Sequence, residues 1–270
     1  MPELFLNPLE ISKALREIGE RKAAAKILEL LIFGVLAGIY IAFGAQVATA
    51  VLSGGTLDAG LARFLAGSVF SVGLMLVLIP GSELFTGNIL MAIGFIYRKY
   101  PFVRVLRNWL VVYFGNLLGG LMIAWLVFAS GLLTQAGSLT AVGQVAANIA
   151  ETKLQLGFSQ ALYRGILCNM LVCLAVIMSI AARSVTGKIF GIYFPIMVFI
   201  ASGYEHSVAN MYFLPAGLLA KGEFWAHPWV IFNNLIPVTI GNIIGGLLVV
   251  LLHPKVQEKI ACLMISRRKK

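Results

Sequence analysis

The stretch Gly81-Ser82-Glu83-Leu84-Phe85-Thr86-Gly87-Asn88 places a glutamate inside an apolar run, directly after Pro80. The same frame returns as Gly203-Tyr204-Glu205-His206-Ser207-Val208-Ala209-Asn210, with Gly, Glu and Asn at the same spacing. Both stretches lie in hydrophobic segments long enough to enter a bilayer. Backbone at membrane depth breaks its helix only where protein or a water-filled cavity surrounds it. Paired interruptions at corresponding places in two halves therefore predict a transport site.

The composition indicates a polytopic membrane protein. The chain has 270 residues, of which 60% are hydrophobic and 12% are charged, whereas a soluble domain carries roughly 25% charge. The net charge of +10 is then expected to mark cytoplasmic loops and contact with membrane lipids, and not to bind nucleic acid. The three cysteines have no metal or redox spacing, and no Walker A loop is present, so no metal or cofactor is expected.

Hydropathy predicts an all-α fold with six transmembrane helices, of which the second and fifth are broken near Pro80 and near Ser202-Gly203. The predicted spans are 27–52, 64–97, 108–128, 160–182, 189–214 and 229–252, with a short helix at 142–156 in the long connector. Residues 1–26 are predicted to hold an interfacial amphipathic helix, with an ordinary surface helix as the alternative. Residues 27–252 then form the pore domain, and 253–270 a basic cytoplasmic tail.

The basic residues predict the orientation of the chain. Seventeen of the 21 Lys and Arg lie before span one, between spans two and three, between four and five, or after span six. The remaining four are Arg63, Lys153, Arg164 and Lys221. The positive-inside rule places both termini in the cytoplasm, in a multi-pass protein of the cell (inner) membrane.

The two halves of the chain repeat each other. Asn108, Asn116 and Gly119-Gly120 of span three recur in span six, 126 residues later, as Asn234, Asn242 and Gly245-Gly246. The glutamate frame recurs 122 residues later. Each half holds three spans, an odd number, so the halves cross the membrane in opposite senses. Inverted repeats of this kind place the substrate path near the midplane, at the interface of the repeats.

Glu83 and Glu205 are the acids deep inside the predicted spans. A charge at mid-bilayer costs at least ~2.5 kcal/mol, and we expect backbone N–H groups freed by the break to offset this cost by hydrogen bonding the carboxylates. Proton carriers or ion ligands are one interpretation. Because the same residue occurs in both halves, we favour the alternative, that the two glutamates organise the loops.

His206 departs from the repeat, because its counterpart in the first half is Leu84. Histidine titrates near neutral pH and can move a proton, so this departure indicates a task performed once in the pore. A core histidine with satisfied hydrogen bonds is the alternative.

Other residues near the breaks are candidates for lining a pore. Apolar side chains at a narrow point gate by dewetting, and packing against other helices or lipid is the alternative for Phe70, Leu74, Leu84, Phe85 and Phe199. Thr86 and Asn169 could donate hydrogen bonds to a solute. Lys153, predicted to lie outside, could attract an anion, or could simply be a solvated loop lysine.

These residues resemble the formate/nitrite transporter family. The resemblance rests on residues 81–88, on Gly203-Tyr-Glu-His-Ser-Val-Ala-Asn-Met211, on Leu167-Cys-Asn-Met-Leu-Val-Cys-Leu-Ala175 and on residues 234–246, and it covers about residues 7–252. It implies an aquaporin-like fold, a homopentamer with one pore per protomer, and passage of small monovalent anions such as formate, nitrite or hydrosulfide.

The resemblance also implies roles for single residues. His206 corresponds to the family's central pore histidine and Lys153 to its outer-vestibule lysine. Leu74, Leu84 and Phe85 resemble one hydrophobic constriction, Phe70 and Phe199 the other, and Thr86, Asn169 and Asn242 the polar pore and loop-holding residues.

The hypothesis is transport of formate or nitrite coupled to protonation at His206, without enzyme activity. The alternatives are a hydrosulfide channel and a membrane scaffold or cofactor-bearing enzyme subunit.

Overall fold

The computed structural model describes residues 5–55 and 57–268, which are mostly helical. Lys269 and Lys270 of the predicted basic tail lie outside the described residues. The helices before the connector are α1 (Pro8–Ala24), α2 (Ile27–Leu52), α3 (Ala59–Leu78), α4 (Phe85–Asn88), a 3₁₀ turn (Ile89–Met91), α5 (Ala92–Ile96) and α6 (Phe102–Ala129). A two-stranded hairpin follows, made of β1 (Thr134–Gln135) and β2 (Ser138–Leu139). The later helices are α7 (Ala141–Leu154), α8 (Phe158–Ala181), α9 (Val185–Ala201), α10 (Ser207–Ala220), a 3₁₀ turn (Pro228–Ile231), α11 (Phe232–Leu252) and α12 (Pro254–Arg268).

The helices confirm an all-α polytopic membrane fold. Within the described ranges, five helical stretches are long and apolar enough to cross a bilayer: α2, α3, α6, α8 and Pro228–Leu252. The fifth crossing of the predicted six consists of two shorter apolar helices, α9 and α10, placed end to end. The first predicted span matches α2 in both bounds. The second begins five residues earlier than predicted, because the carboxylate of Asp58 caps the first turn of α3.

Both predicted interruptions are present. The second crossing stops at Leu78 and resumes at Phe85, and the fifth stops at Ala201 and resumes at Ser207. Gly81 and Gly203 take positive φ angles of 98° and 72° within the two breaks. A side chain is strained in this left-handed region, so glycine is favoured at both positions. The shared glycine of the sequence frame thus marks where each chain segment leaves its helix.

The inverted repeat is visible in the packing. Helix α2 packs against α6, and α8 packs against α11, each pair so closely that a Cβ atom on Gly115, Gly165 or Gly241 would overlap the facing backbone. Repeat-related residues also meet each other. Tyr113 and Thr239, 126 positions apart, share a hydrogen bond of 2.9 Å between their hydroxyl oxygens. A pseudo-twofold axis therefore passes between the halves.

Helix α1 is docked against the bundle. Asn7 and Glu10 form a capping box at its start, and the guanidinium of Arg107 in α6 donates to the carbonyls of Ala23 and Ala25 at its end, both at 2.9 Å. Carbonyls at a helix C-terminus lack partners within the helix, so this contact ties α1 to the third crossing. A location of α1 in the membrane interface stays a prediction.

Candidate functional site

The side chain of Asn116 in α6 holds the first break. Its Oδ1 accepts a hydrogen bond of 2.9 Å from the N–H of Phe85, the first residue of α4. Its Nδ2 donates to the carbonyls of Gly34 in α2 and Glu83 in the break, at 2.7 and 2.9 Å. One buried amide therefore satisfies three backbone groups that the broken helix and its neighbour expose at membrane depth.

Asn242 in α11 holds the second break in the same way. Its Oδ1 accepts from the N–H of Ser207 at 2.9 Å, and its Nδ2 donates to the carbonyls of Gly165 and Glu205 at 2.8 and 3.0 Å. The corresponding positions 126 residues apart, Asn116 and Asn242, thus make corresponding bonds.

Glu83 pairs with side chains and not with the backbone. Its Oε1 accepts from Nζ of Lys22 at 2.8 Å, and its Oε2 accepts from Nδ2 of Asn88 at 2.6 Å. The prediction that freed backbone N–H groups stabilise this carboxylate is wrong. Those N–H groups already have acceptors: the N–H of Glu83 itself, for example, donates to the carbonyl of Phe33.

Glu205 is held by the equivalent set in the second half. Lys153 Nζ donates to Oε1 at 2.8 Å and Asn210 Nδ2 donates to Oε2 at 2.6 Å. The backbone-donor prediction is wrong here too, because the N–H of Glu205 donates to the carbonyl of Arg164. The Lys153 and Glu205 side chains are 15% and 4% exposed, against 21% and 16% for Lys22 and Glu83. The pair of Lys153 and Glu205 is therefore the more desolvated of the two.

His206 lies where the second break meets the first. Its Nδ1 accepts a hydrogen bond of 3.1 Å from the N–H of Ala209 and so caps the start of α10. Its Nε2 lies 2.8 Å from Oγ1 of Thr86 in α4. Because Nδ1 accepts, the proton of the neutral ring is assigned to Nε2, which donates it to Thr86. The pair is buried and joins the two halves across the pseudo-twofold axis.

Asn169 in α8 hydrogen-bonds the backbone next to this pair. Its Nδ2 donates to the carbonyls of Thr86 and Asn242, at 3.2 and 2.6 Å. Its Oδ1 has no hydrogen-bond partner among the described residues. The structure thus places three of the predicted polar residues, His206, Thr86 and Asn169, in one connected group.

A small cavity of about 10 Å³, roughly the space of one water, lies beside this group. Its lining is apolar except for His206 and consists of Ile41, Phe70, Leu74, Leu84, Val172, Ile196, Phe199 and His206. The rings of Phe70 and Phe199 meet edge to face, with centroids 5.5 Å apart. Four of the five residues predicted to form constrictions therefore surround one narrow space.

Phe85 lies apart from that space. Its ring packs edge to face on Tyr113 and Trp109 of α6, with centroids 4.9 and 6.4 Å away. The N–H of Phe85 also donates to Asn116 of α6, the helix that carries Tyr113 and Trp109. Phe85 therefore braces α4 against α6 in the structure.

A larger cavity of about 620 Å³ opens on the side of the termini, and we name it the inner vestibule. Helix α1 forms one wall, the first break forms its floor, and the charged residues that line it are Arg21, Lys22, Glu29, Glu83 and Lys188. It ends at Leu84, which also lines the small cavity. The two cavities therefore meet at the first break.

Lys22 is a site residue that the sequence pattern does not distinguish from the other basic residues of the predicted amphipathic helix. It precedes Lys153 by 131 residues, the same offset that separates Gly34 from Gly165. Extending the repeat upstream of the first span would have paired the two lysines. For metals, no cluster of three or more His, Cys, Asp or Glu occurs among the described residues.

The fold and the site define a class: a polytopic membrane protein with a pore at the junction of two broken helices. Comparison with known proteins identifies the family within this class. The family model of the formate/nitrite transporters matches residues 9–255. A probable formate transporter of Methanothermobacter thermautotrophicus is 43% identical over 261 residues, covering 91% of this chain and 94% of that protein. The formate channel FocA of Escherichia coli K12 is 38% identical over 267 residues, covering 91% and 92%.

Comparison with solved structures gives the same family. A pentameric formate channel with formate bound superposes with a TM-score of 0.72 at 35% identity, covering 82% of this chain and 93% of that one. An ion channel of the same family gives 0.79 at 28% identity, covering 91% and 96%. The chain belongs to the formate/nitrite transporter family. Its function is transmembrane transport and not enzyme catalysis, which confirms that prediction and disfavours the scaffold or enzyme-subunit alternative.

The buried lysine–glutamate pairs predict an unequal response to mutation. Removing one partner of a buried pair leaves an uncompensated charge and typically costs about 3–5 kcal/mol. We expect Glu205→Gln to lower the stability of the detergent-solubilised protein more than Glu83→Gln, because its pair is less exposed.

A double-mutant cycle checks the cause. The double variant Lys153→Met/Glu205→Gln should lose less stability than the two single changes together, because no lone charge remains. Thermal unfolding of the four proteins measures this, and strictly additive losses would show that the pair is not coupled.

Proposed function

We propose that each protomer conducts small monovalent anions, formate first and nitrite second, with protonation of the anion near His206. The observation that carries the proposal is the polar pair of His206 and Thr86 where the two breaks meet. The pair lies at the end of the small apolar cavity described above, which we call the neck. The names of the relatives, which include formate transporters and formate channels, support formate as the first substrate. The name of the family adds nitrite.

Protonation is invoked because the neck is apolar. A bare anion entering it would lose its water, at a cost of several kcal/mol even after relaxation. A weak acid avoids this cost by accepting a proton. Lys153 by itself favours the anionic form, since proximity to a cation stabilises a negative charge. The proton must then come from water or from a second donor, and His206 is the histidine at that depth.

The hydrogen bonds of His206 suggest how such a transfer is coupled to structure. Thr86 accepts from Nε2, so its own hydroxyl hydrogen is available to a carboxylate in the neck. Nε2 can give up its proton only if Nδ1 gains one. Nδ1 gains a proton only by releasing the N–H of Ala209. In this proposal, proton transfer through His206 loosens the first turn of α10.

The assembly and orientation also belong to this proposal. We infer a homopentamer with one pore per protomer, as in the pentameric formate channel to which the chain is similar. Both termini are proposed to lie in the cytoplasm and the protein in the inner membrane, surrounded by lipid. The distribution of basic residues supports this orientation, because they gather at one end of the spans.

Flux measurements in the same vesicles test the substrate. We expect reconstituted protein to carry formate and nitrite faster than hydrosulfide, because formate and nitrite are the anions in the family description. Protein-free vesicles are the control, since neutral hydrogen sulfide crosses lipid unaided. Faster protein-dependent flux of hydrosulfide than of formate would favour the hydrosulfide alternative.

Replacing His206 tests the coupling. His206→Asn retains hydrogen-bonding capacity but cannot titrate, so proton-coupled formate uptake should fall about 100-fold, the scale of a lost general acid. Passive anion current should survive or rise. Proton uptake recorded together with formate uptake, across a range of pH, measures both effects. Unchanged coupling with an unchanged pH profile would remove His206 from the mechanism.

The oligomeric state is checked by mass. Light scattering or native mass spectrometry of the full chain in mild detergent should give five copies per particle. A monodisperse monomer, both in detergent and in lipid nanodiscs, would contradict the assembly.

A further inference from the structure

The two lysines next to the breaks carry little net charge toward a solute. Lys22 and Lys153 each place Nζ 2.8 Å from a carboxylate oxygen, of Glu83 and Glu205 respectively. An anion approaching either lysine also approaches the paired glutamate at nearly the same distance. The attraction and the repulsion largely cancel, so another cation must draw anions into the inner vestibule.

Lys188 is a cation of the inner vestibule that forms no ion pair among the described residues. It lies in the first turn of α9, is only partly exposed, and lines the cavity. Within the described part of the chain its side chain makes no ion pair and no hydrogen bond. Of the other charges that line the cavity, Lys22 is paired with Glu83, whereas Arg21 and Glu29 are exposed and form no ion pair with each other. The lining therefore carries a net charge of +1, and Lys188 is less exposed than Arg21, the other lining cation outside the Lys22–Glu83 pair.

We infer that Lys188 is the residue that concentrates the transported anion in the inner vestibule. The inference rests on the anion transport proposed above and adds a positioning residue to it. A concave wall of low dielectric focuses the field of such a charge and raises the local concentration of an opposite ion. At about 10 Å, one unit charge is worth roughly a twofold concentration in water and more than tenfold at an effective dielectric constant near 20.

Electrostatic attraction by Lys188 raises the concentration of the anion in the inner vestibule and does not change its passage through the neck. The full-length protein in phosphatidylcholine vesicles is assayed by equilibrium exchange of labelled formate, in which every molecule uses both vestibules whatever its orientation. At low ionic strength, Lys188→Gln should raise the half-saturating formate concentration about two- to tenfold and leave the maximal rate unchanged. Lys188→Arg should behave as the wild type.

Ionic strength separates this role from a packing role. The difference between Lys188→Gln and the wild type should vanish near 1 M salt, where the Debye length is about 3 Å. Lys26→Gln is the matched control, because Lys26 is exposed at the start of α2 and does not line the cavity. It should leave the half-saturating concentration unchanged.

Several results would overturn the inference. They are an unchanged half-saturating concentration for Lys188→Gln at low salt, a change that persists at high salt, or an equal change for Lys26→Gln. Failure of the wild type to exchange formate would instead contradict the proposed function.

Discussion

The hydrogen bonds from two buried asparagines to the broken backbone are the constraint on which the rest of the structure depends. In hydrocarbon an unpaired N–H or C=O costs several kcal/mol, which is why irregular backbone is rare at this depth. Asn116 and Asn242 each offer one acceptor and two donors, and each uses all of them on backbone groups. With these groups satisfied, the breaks can present His206 and Thr86 at the centre of the bundle.

Much of this arrangement follows from sequence, because the pattern is local and occurs twice. The Gly, Glu and Asn frame predicts both breaks, and the recurrence of paired asparagines predicts the repeat. The partners of Glu83 and Glu205 could not be derived in the same way. Lys22 and Lys153 lie on helices that are far from the glutamates in sequence, and an amphipathic pattern looks the same whether a lysine faces water or a carboxylate. The Phe85 ring packs on Tyr113 and Trp109 of another helix, and hydropathy does not report such contacts between helices.

The pairing of Lys22 with Lys153 also says where the repeat begins. Helices α1 and α7 occupy equivalent positions in the two halves, because each supplies the lysine that pairs with the glutamate of its own half. The N-terminal helix is therefore built into the pore unit, although its hydropathy is that of a surface helix. Its length and its polar face fit that place, because it lines the inner vestibule. Each half then consists of a short capping helix and three crossings.

The repeat symmetry is lost at the centre of the bundle, and the proposed mechanism depends on this difference between the halves. The lysine, glutamate and asparagine positions are kept in both halves, but Leu84 stands where the second half has His206, and Val208 stands where the first half has Thr86. Two polar residues, one from each half, thus face each other while their repeat partners are apolar. If both halves carried the polar residues, two histidines and two hydroxyls would hydrate the neck and admit bare ions. If both halves carried the apolar residues, the neck would contain no proton donor. In the proposed mechanism, the single polar pair inside an apolar neck gives an anion one place to exchange a proton, while the apolar lining disfavours a continuous path of water.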